Sequence, residues 1–182
     1  MNHAVELWPT LVRASVDRKH PWRVVGLSTT GADGPMSRQV ILRKVFPEQR
    51  QLLFFTDSRS GKVRELAHDN RVALLFWNPS HQLQLRAVGT AYLETDDSVL
   101  NGYWANVPEY ARQDYATLSA PGTALQDGPV ATDLNIARAH FVVLKVTVHT
   151  LDCLELGREG HTRTRLLWHE ETQAWQSGAV VP

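Results

Sequence analysis

The residues of this chain that are best suited to chemistry are cationic and hydroxyl side chains, and they lie in three separate segments. The first segment is a strand-like run with an arginine at each end, Arg38-Gln39-Val40-Ile41-Leu42-Arg43. In a regular strand Arg38 and Leu42 share one face, and Arg43 points to the other. Either a β-bulge re-aims one arginine, or the two arginines serve different groups. The backbone of such a strand could pair with the polar edge of a planar ligand while its arginines supply positive charge.

The second segment runs from the end of a strand into the start of a helix, Phe55-Thr56-Asp57-Ser58-Arg59-Ser60-Gly61-Lys62. The first backbone N–H groups of a helix have no partner within the helix, and here hydroxyls, an arginine and a lysine stand beside them. This combination is suited to holding a phosphate monoester. The alternative is an ordinary solvated helix start with incidental charges.

The third segment is a predicted strand near the end of the chain. Its alternation places His161, Arg163 and Arg165 on one face. Like charges in a row are tolerated mainly where an anion or solvent meets them, so this face either binds an anion or is the charged edge of a sheet. In another alternating strand, Gln84 could hydrogen-bond a planar ring or could face solvent.

Other functional signatures are missing from the sequence. It contains neither a dinucleotide-binding nor a phosphate-loop glycine motif. The eight histidines are widely spaced and the single cysteine, Cys153, lies in an apolar run. We therefore predict no metal site, and a core position rather than a nucleophilic role for Cys153.

The charge balance and the N-terminal sequence limit which partners and which cellular compartment are expected. Lys+Arg and Asp+Glu number 19 each, which predicts neither a nucleic-acid partner nor an anionic membrane surface. The N-terminal residues do not resemble a signal peptide, and no apolar stretch approaches the ~18 residues of a membrane span. We expect a cytoplasmic protein.

Hydrophobic periodicity predicts a mainly β (α+β) fold. The order of elements is a helix, about five strands with one inserted helix, a helical region, and about three strands. The predicted helices cover 4–18, which could begin at Pro9, then 59–69, and 96–115 with a break near Pro108; the predicted strands cover 22–29, 37–45, 52–56, 71–77, 83–93, 141–156, 161–170 and 174–177, and a loop covers 120–133. Closely spaced strands with few crossover helices favour an antiparallel barrel, and residues 1–182 are expected to form one domain.

Four motifs in this order resemble the pyridoxamine 5′-phosphate oxidase-like FMN-binding proteins. They are the 38–43 run, Phe55-Thr-Asp-x-Arg-Ser-x-Lys62, Gln84-Leu-Arg-x-x-Gly89 and Gly160-His-x-Arg-x-Arg165. The resemblance implies an antiparallel split β-barrel with peripheral helices, forming a homodimer with FMN at the subunit interface. It assigns the 38–43 strand, Phe55 and Arg165 to the flavin, Thr56, Arg59, Ser60 and Lys62 to its phosphate, and Gln84 to the isoalloxazine.

The chain departs from the family where the oxidases bind the phosphate of their substrate. The family pattern Tyr-x-x-x-Arg-Pro-x-x-Ser is matched by Tyr103-Trp-Ala-Asn-Val107-Pro108-Glu-Tyr-Ala111. Valine and alanine replace the arginine and the serine, which removes a charge-assisted bond worth ~1.5–3 kcal/mol. A family Arg-x-His is inverted to His161-x-Arg163, and a family lysine is Arg43. The resemblance thus implies a substrate site of Arg43, Tyr103, His161 and Arg163, and a phosphate could still bind through Arg43 and Arg163.

These departures favour an FMN-dependent oxidoreductase with a substrate different from that of the oxidases. The sequence assigns no catalytic residue. Three alternatives stay open: a genuine pyridoxamine/pyridoxine 5′-phosphate oxidase, a non-catalytic flavin-binding protein, and a barrel that binds no flavin. A deazaflavin or haem in place of FMN is also compatible with the fold.

Overall fold

One antiparallel sheet of eight strands forms the body of the protein in the computed structural model, which describes residues 3–125 and 128–182. The strand order is β3-β2-β1-β4-β5-β6-β7-β8, and an additional pairing of β3 with β6 closes β1 to β6 into a barrel. The strands are β1 (Val24–Gly31), β2 (Gly34–Phe46), β3 (Gln51–Asp57), β4 (Arg71–Asn78), β5 (Leu83–Leu93), β6 (Phe141–Glu155), β7 (Thr162–His169) and β8 (Ala174–Ala179). The predicted antiparallel split barrel is confirmed.

The split arises because β6 changes partners along its length. Its first half pairs with β3, and its second half pairs with β7. The hairpin of β7 and β8 therefore extends away from the closed barrel.

Helices cover the ends and one side of the barrel. They are α1 (His3–Val16), α2 (Gly61–His68), α3 (Asp97–Ala105), α4 (Glu109–Arg112) and α5 (Ala137–His140). The helical region breaks near Pro108 as predicted, because Pro108 lies between α3 and α4. The first helix agrees with the predicted range 4–18 to within two residues, and the alternative start at Pro9 is wrong, since the helix begins at His3 and includes Pro9. Its residues Leu7, Leu11 and Ala14 are buried in the barrel core. None of the helices in the described ranges is long and apolar enough to cross a membrane.

Two hydrophobic clusters hold these layers together. The first fills the barrel with residues that alternate along the strands, such as Val25 and Leu27 of β1. The second lies outside the barrel, where Leu53 of β3 and Phe141 of β6 pack against the helical region. Val107, at the predicted phosphate-binding position, is buried in this second cluster.

Bulges in β2 and β6 redirect side chains. In β2 the register with β3 shifts between Leu42 and Lys44, so Arg43 is the inserted residue. The bulge that the sequence left as one alternative is therefore present, and the other alternative holds as well, because Arg38 contacts Glu65 whereas Arg43 lies over Phe55. In β6 the register with β5 shifts between Val88 and Gly89.

Candidate functional site

A cluster of cationic and hydroxyl side chains lies where β3 ends and α2 begins. Lys62 Nζ donates to Thr56 Oγ1 at 2.9 Å and to Ser60 Oγ at 3.2 Å. Thr56 and Ser60 are buried, and Arg38 enters from β2. We call Arg38, Thr56, Ser60 and Lys62 the Lys62 cluster. The sequence predicted all four as cofactor-binding residues, and the structure brings them together.

Arg38 is positioned by its strand and by α2. It lies opposite the buried Leu27 in the β1–β2 pairing, so its side chain points along the inner face to the end of the barrel. There its guanidinium donates to the Thr29 hydroxyl and forms a 2.6 Å ion pair with Glu65 of α2. Glu65 thus anchors Arg38 close enough to Lys62 for the two positive charges to interact.

The electrostatics of Lys62 favour an anion as its partner. Burial lowers the pKa of the Lys62 ammonium, and the nearby positive charge of Arg38 lowers it further. Its hydrogen-bond acceptors are neutral hydroxyls, and no ion pair within residues 3–125 and 128–182 includes Lys62. Ser60, the N-cap of α2, makes no side-chain capping bond. Cations, hydroxyls and the start of a helix therefore converge where a phosphate could bind.

Arg59 is engaged elsewhere, although the sequence groups it with Lys62. Its guanidinium pairs with the buried carboxylate of Asp57, with Nε–Oδ1 at 3.0 Å and Nη2–Oδ2 at 2.7 Å, and it also donates to the carbonyl of Thr117 at 2.8 Å. Burial raises the pKa of Asp57, but the hydrogen bonds from Arg59 outweigh it and hold the pKa below its usual value. Arg59 thus ties β3 to the loop at Thr117, and its role in phosphate binding stays a prediction.

Arg43 and Tyr103 meet at the ring of Phe55 on the outer side of β3. The Arg43 Cζ lies 5.3 Å from the centroid of the Phe55 ring. The Tyr103 ring lies 5.8 Å from the same ring, edge to face. Two of the four predicted substrate residues therefore contact the same aromatic ring.

Three arginines surround one buried carboxylate on the outer face of β5, β6 and β7. Asp152 is 4% exposed and accepts from Arg86 at 2.9 Å, from Arg165 at 3.3 Å, and from both Nε and Nη2 of Arg163 at 2.8 and 2.9 Å. Arg163 and Arg165 share this face, as predicted. His161 is exposed and precedes β7.

We expect Asp152→Asn to lower the free energy of unfolding by about 2 kcal/mol at pH 7, because the hydrogen bonds from charged donors are weakened. Hydrogen bonds from Arg163 hold the pKa of Asp152 below its usual value. A carboxyl with a depressed pKa in the folded state stabilises the protein above its unfolded pKa of about 3.9, and this stabilisation is lost as the pH falls through the folded pKa.

The measurement is urea unfolding of both proteins between pH 7 and pH 3. The difference in stability should be largest at neutral pH and should shrink in acid. Asp97→Asn is the control, since that side chain is 89% exposed in its ion pair with Arg138 and should contribute less than about 0.5 kcal/mol. A difference that grows in acid would contradict the prediction.

The predicted cofactor residues fall at two separate places on one chain. Asp57, next to the Lys62 cluster, pairs with Phe141 at the start of β6, whereas Arg165 pairs with Asp152 near its end. Residues 141 and 152 are 152 − 141 = 11 positions apart, which corresponds to about 36 Å along an extended strand. Gln84 lies close to the second place, because it pairs with Leu154.

Sequence reasoning missed the acidic residues that orient these arginines. Glu65 follows Lys62 by three positions, so the two share a face of α2. Asp152 interrupts the apolar run 151–154, and an acid within a buried strand signals a cationic partner. Among the residues that the structure describes, no three histidine, cysteine or acidic side chains come together as a possible metal site.

Comparisons of the sequence with known proteins point to one family. The family model described as pyridoxamine 5′-phosphate oxidase, FMN-binding domain, matches residues 5–95. A pyridoxine/pyridoxamine 5′-phosphate oxidase of Kineococcus radiotolerans is 40% identical over 87 residues, which is 47% of this chain and only 37% of that relative. One from Thermosynechococcus vestitus is 29% identical over 169 residues, covering 86% of this chain and 77% of the relative.

Solved structures share the fold over almost the whole chain. A pyridoxamine 5′-phosphate oxidase-related, FMN binding protein of Nostoc punctiforme superposes with a TM-score of 0.76 at 24% identity, covering 100% of this chain and 97% of that one. PhzG of Burkholderia lata, solved with tetrahydrophenazine-1-carboxylic acid, gives a TM-score of 0.76 at 19% identity and covers 99% and 92%. The match over half of the sequence and the shared split barrel confirm the resemblance: this chain belongs to the pyridoxamine 5′-phosphate oxidase family of FMN-binding domains.

Proposed function

We propose that this protein binds FMN and acts as an FMN-dependent oxidoreductase whose substrate differs from that of the oxidases. The observation that carries the proposal is the Lys62 ammonium, which donates to Thr56 and Ser60 at the start of α2. In this proposal one domain, residues 1–182, performs the function.

The donor set of the Lys62 cluster fits the phosphate monoester of FMN. Lys62 offers a charge without an ionic partner among the described residues, Arg38 adds a guanidinium that is paired with Glu65, two hydroxyls offer hydrogen bonds, and the first N–H groups of α2 lie beside them. When bound, the flavin supplies the redox chemistry, while the protein supplies orientation and electrostatics. Lys62 and Arg38 hold the phosphate, and the 38–43 strand lies along the flavin.

The same proposal includes a homodimer that joins the two groups of cofactor residues. Gln84 and Arg165 of one chain are distant from its own Lys62 cluster, as the pairings along β6 indicate. In a symmetric dimer they would reach the flavin held by the Lys62 cluster of the other chain. An apolar outer face flanks Gln84 and Arg86, and its large exposed side chains are Leu75, Trp77, Val88 and Leu167. This face is the proposed dimer interface.

Leu75→Glu should convert the dimer to a monomer and weaken FMN binding. Leu75 is 48% exposed and lies opposite Arg86 in the β4–β5 pairing. A carboxylate there would be desolvated in an apolar interface, which is strongly unfavourable. Light scattering after gel filtration reports the mass of the species.

The control for this variant is Tyr110→Glu, which adds the same charge at an apolar side chain of α4 that is 71% exposed. It should leave the dimer intact. A wild-type protein that elutes as a monomer with FMN bound would refute the shared site.

The altered substrate is proposed because apolar side chains occupy the phosphate-binding positions. Val107 is buried in the second hydrophobic cluster, and Ala111 packs against that cluster. Neither side chain can donate to a phosphate. Our second candidate is a genuine pyridoxamine/pyridoxine 5′-phosphate oxidase, favoured by the names of the relatives and by the contacts of Arg43 and Tyr103 with the ring of Phe55.

The first experiment is a visible absorption spectrum of the purified protein before and after addition of FMN, followed by a pyridoxamine 5′-phosphate turnover assay. A flavin spectrum without formation of pyridoxal 5′-phosphate supports the proposal. Turnover at an ordinary enzymatic rate would select the genuine oxidase. A bound flavin that no electron donor reduces would indicate a flavin-binding protein without activity. Absence of a flavin spectrum would refute the cofactor assignment.

A further inference from the structure

Glu65 brings a largely buried carboxylate to the cationic part of the Lys62 cluster. Its Oε2 forms the 2.6 Å ion pair with Arg38 Nη2, and the side chains of Arg38 and Glu65 are only 21% and 14% exposed. The buried Thr29 hydroxyl donates to the same oxygen and accepts from Arg38 Nη1. The three side chains therefore form a closed triangle of hydrogen bonds.

This triangle engages both terminal nitrogens of Arg38. Nη2 donates to Glu65, and Nη1 donates to Thr29 and, at 3.3 Å, to the backbone carbonyl of Met36. A phosphate that approaches Arg38 would therefore meet a guanidinium whose charge is already shared with a carboxylate.

The second oxygen of Glu65 lies at the start of α2, where an anionic ligand would bind. A Cβ atom on Gly61, the first residue of α2, would lie 3.3 Å from Glu65 Oε1. The first turn of a helix favours negative charge, and Glu65 supplies such a charge from within the chain. Both residues also line an open pocket of about 400 Å³ between α2 and the turn that joins β1 to β2.

Glu65 also offsets the mutual repulsion of two cations. Burial and the charge of Arg38 lower the pKa of the Lys62 ammonium, whereas the carboxylates of Asp57 and Glu65 raise it. Asp57 is paired with Arg59 at 2.7 Å. Without the carboxylate of Glu65, the half-buried Arg38 and Lys62 would repel each other with no counter-ion of their own.

Three other ionisable side chains line the same pocket, namely Asp33, Arg64 and His68. All three are exposed, so solvent and salt screen their charges. They are also the same in the wild-type protein and in a variant at Glu65. A comparison of the two proteins therefore isolates the charge of Glu65.

We propose that Glu65 is an internal counter-ion of the cofactor site, which stabilises the cofactor-free protein and weakens the binding of the flavin phosphate. This inference rests on the proposed function, since it concerns the regulation of the same site. Without a ligand, the carboxylate compensates two half-buried cations. Toward a bound phosphate the same carboxylate is a like charge, and it shares Arg38. Stability and cofactor affinity are therefore opposed at this residue.

Glu65→Gln tests both effects at once. Glutamine keeps the length of the side chain and an oxygen that accepts from Arg38 and Thr29, and it removes the negative charge. The affinity for FMN should rise about tenfold, because a like charge near the phosphate is lost. The melting temperature of the cofactor-free protein should fall by about 2–6 °C, because the two cations lose their counter-ion. Quenching of flavin fluorescence and calorimetry measure the two quantities.

Probes with and without a phosphate locate the effect. Riboflavin lacks the phosphate, so its affinity should be equal in the wild-type protein and in Glu65→Gln. Inorganic phosphate should raise the melting temperature of the cofactor-free variant by more than it raises that of the wild-type protein. Sodium chloride at the same ionic strength corrects both proteins for screening.

Two further variants control for overall charge and for folding. Asp33→Asn removes an exposed carboxylate from the rim of the same pocket and should change the FMN affinity by less than about twofold. Glu65→Asp keeps the negative charge but withdraws it from Arg38 by one methylene. It should raise the FMN affinity by about twofold to threefold, and it tests the inference if Glu65→Gln does not fold.

The outcomes separate this inference from the cofactor proposal. If the wild-type protein binds FMN and Glu65→Gln binds it no more tightly, Glu65 only orients Arg38; the counter-ion inference is then wrong and the cofactor proposal stands. An equal gain for riboflavin or for Asp33→Asn would also overturn it, since the effect would not depend on Glu65 and the phosphate. If neither protein takes up FMN, the cofactor proposal fails, and equal effects of inorganic phosphate on both proteins would overturn the inference as well.

Discussion

Lys62→Met should lower the affinity for FMN about tenfold to hundredfold, since a hydrogen bond from a charged donor contributes about 1.5–3 kcal/mol. The substitution keeps an unbranched apolar stem that extends to the ε position and removes the ammonium. That ammonium donates to Thr56 and Ser60 and has no ionic partner among the described residues. Quenching of flavin fluorescence on titration measures the affinity.

The stability of the cofactor-free variant should be unchanged or higher. Burial lowers the pKa of Lys62, so its charged form is disfavoured in the folded protein and a neutral side chain relieves that cost. The combination of weaker FMN binding and undiminished stability is specific to a ligand-binding cation. A purely structural lysine would lose both together.

Arg64→Met is the matched control for Lys62→Met. It removes one positive charge from the same helix, at an exposed side chain that donates to the backbone carbonyl of Arg59. FMN affinity should change by less than about threefold, because exposed charges are screened by solvent. Equal losses in both variants would assign the effect to overall charge and contradict a specific site at Lys62.

Gly89→Ala should destabilise the folded protein by at least about 3 kcal/mol, the upper end of the usual cost of overpacking. A Cβ atom on Gly89 would lie 2.0 Å from the carbonyl oxygen of Thr147 and 2.9 Å from its carbonyl carbon. Both are backbone atoms of β6, held by the barrel pairing, so they cannot move aside cheaply. For a chain of this length the melting temperature should fall by about 6–12 °C.

The control for Gly89→Ala is Gly102→Ala in α3, where a Cβ would meet no heavy atom within 4 Å. Alanine there should stabilise the protein by about 0.5–1 kcal/mol, because glycine is unfavourable within a helix. Calorimetry of both variants checks the contrast. Similar melting temperatures for the two variants would contradict the close approach of β5 and β6 at the bulge.

Gly89 pairs with β6 next to its bulge, between the two groups of predicted cofactor residues. The β6 bulge lies between the half of β6 that pairs with β3 and the half that pairs with β7. The first half begins beside the Lys62 cluster, and the second half carries Asp152. The close contact at Gly89 therefore lies in the strand that connects the two groups of predicted cofactor residues.

Local sequence patterns were sufficient for the fold class and for the Lys62 cluster. Alternating apolar residues predicted the strands, since the period of two is a property of each strand by itself. Thr56, Ser60 and Lys62 lie within seven positions of one another, so a strand end followed by a helix start brings them together wherever the element packs. The family motifs added Arg38 from a separate strand.

Only the tertiary structure decided which arginines are available to a ligand. Arg86 and Asp152 are separated by 66 positions, and their contact depends on the register of β5 against β6. The same is true of Arg59, whose acceptor at Thr117 lies 58 positions away. Alternation determines the face on which an arginine lies, but a carboxylate from another strand determines whether its charge is neutralised. The sequence by itself therefore determined the barrel, the family and the cluster at α2. The tertiary structure placed Arg86 and Arg163 on the carboxylate of Asp152 and gave Arg43 no such partner within residues 3–125 and 128–182, because these ion pairs depend on the register between separate strands.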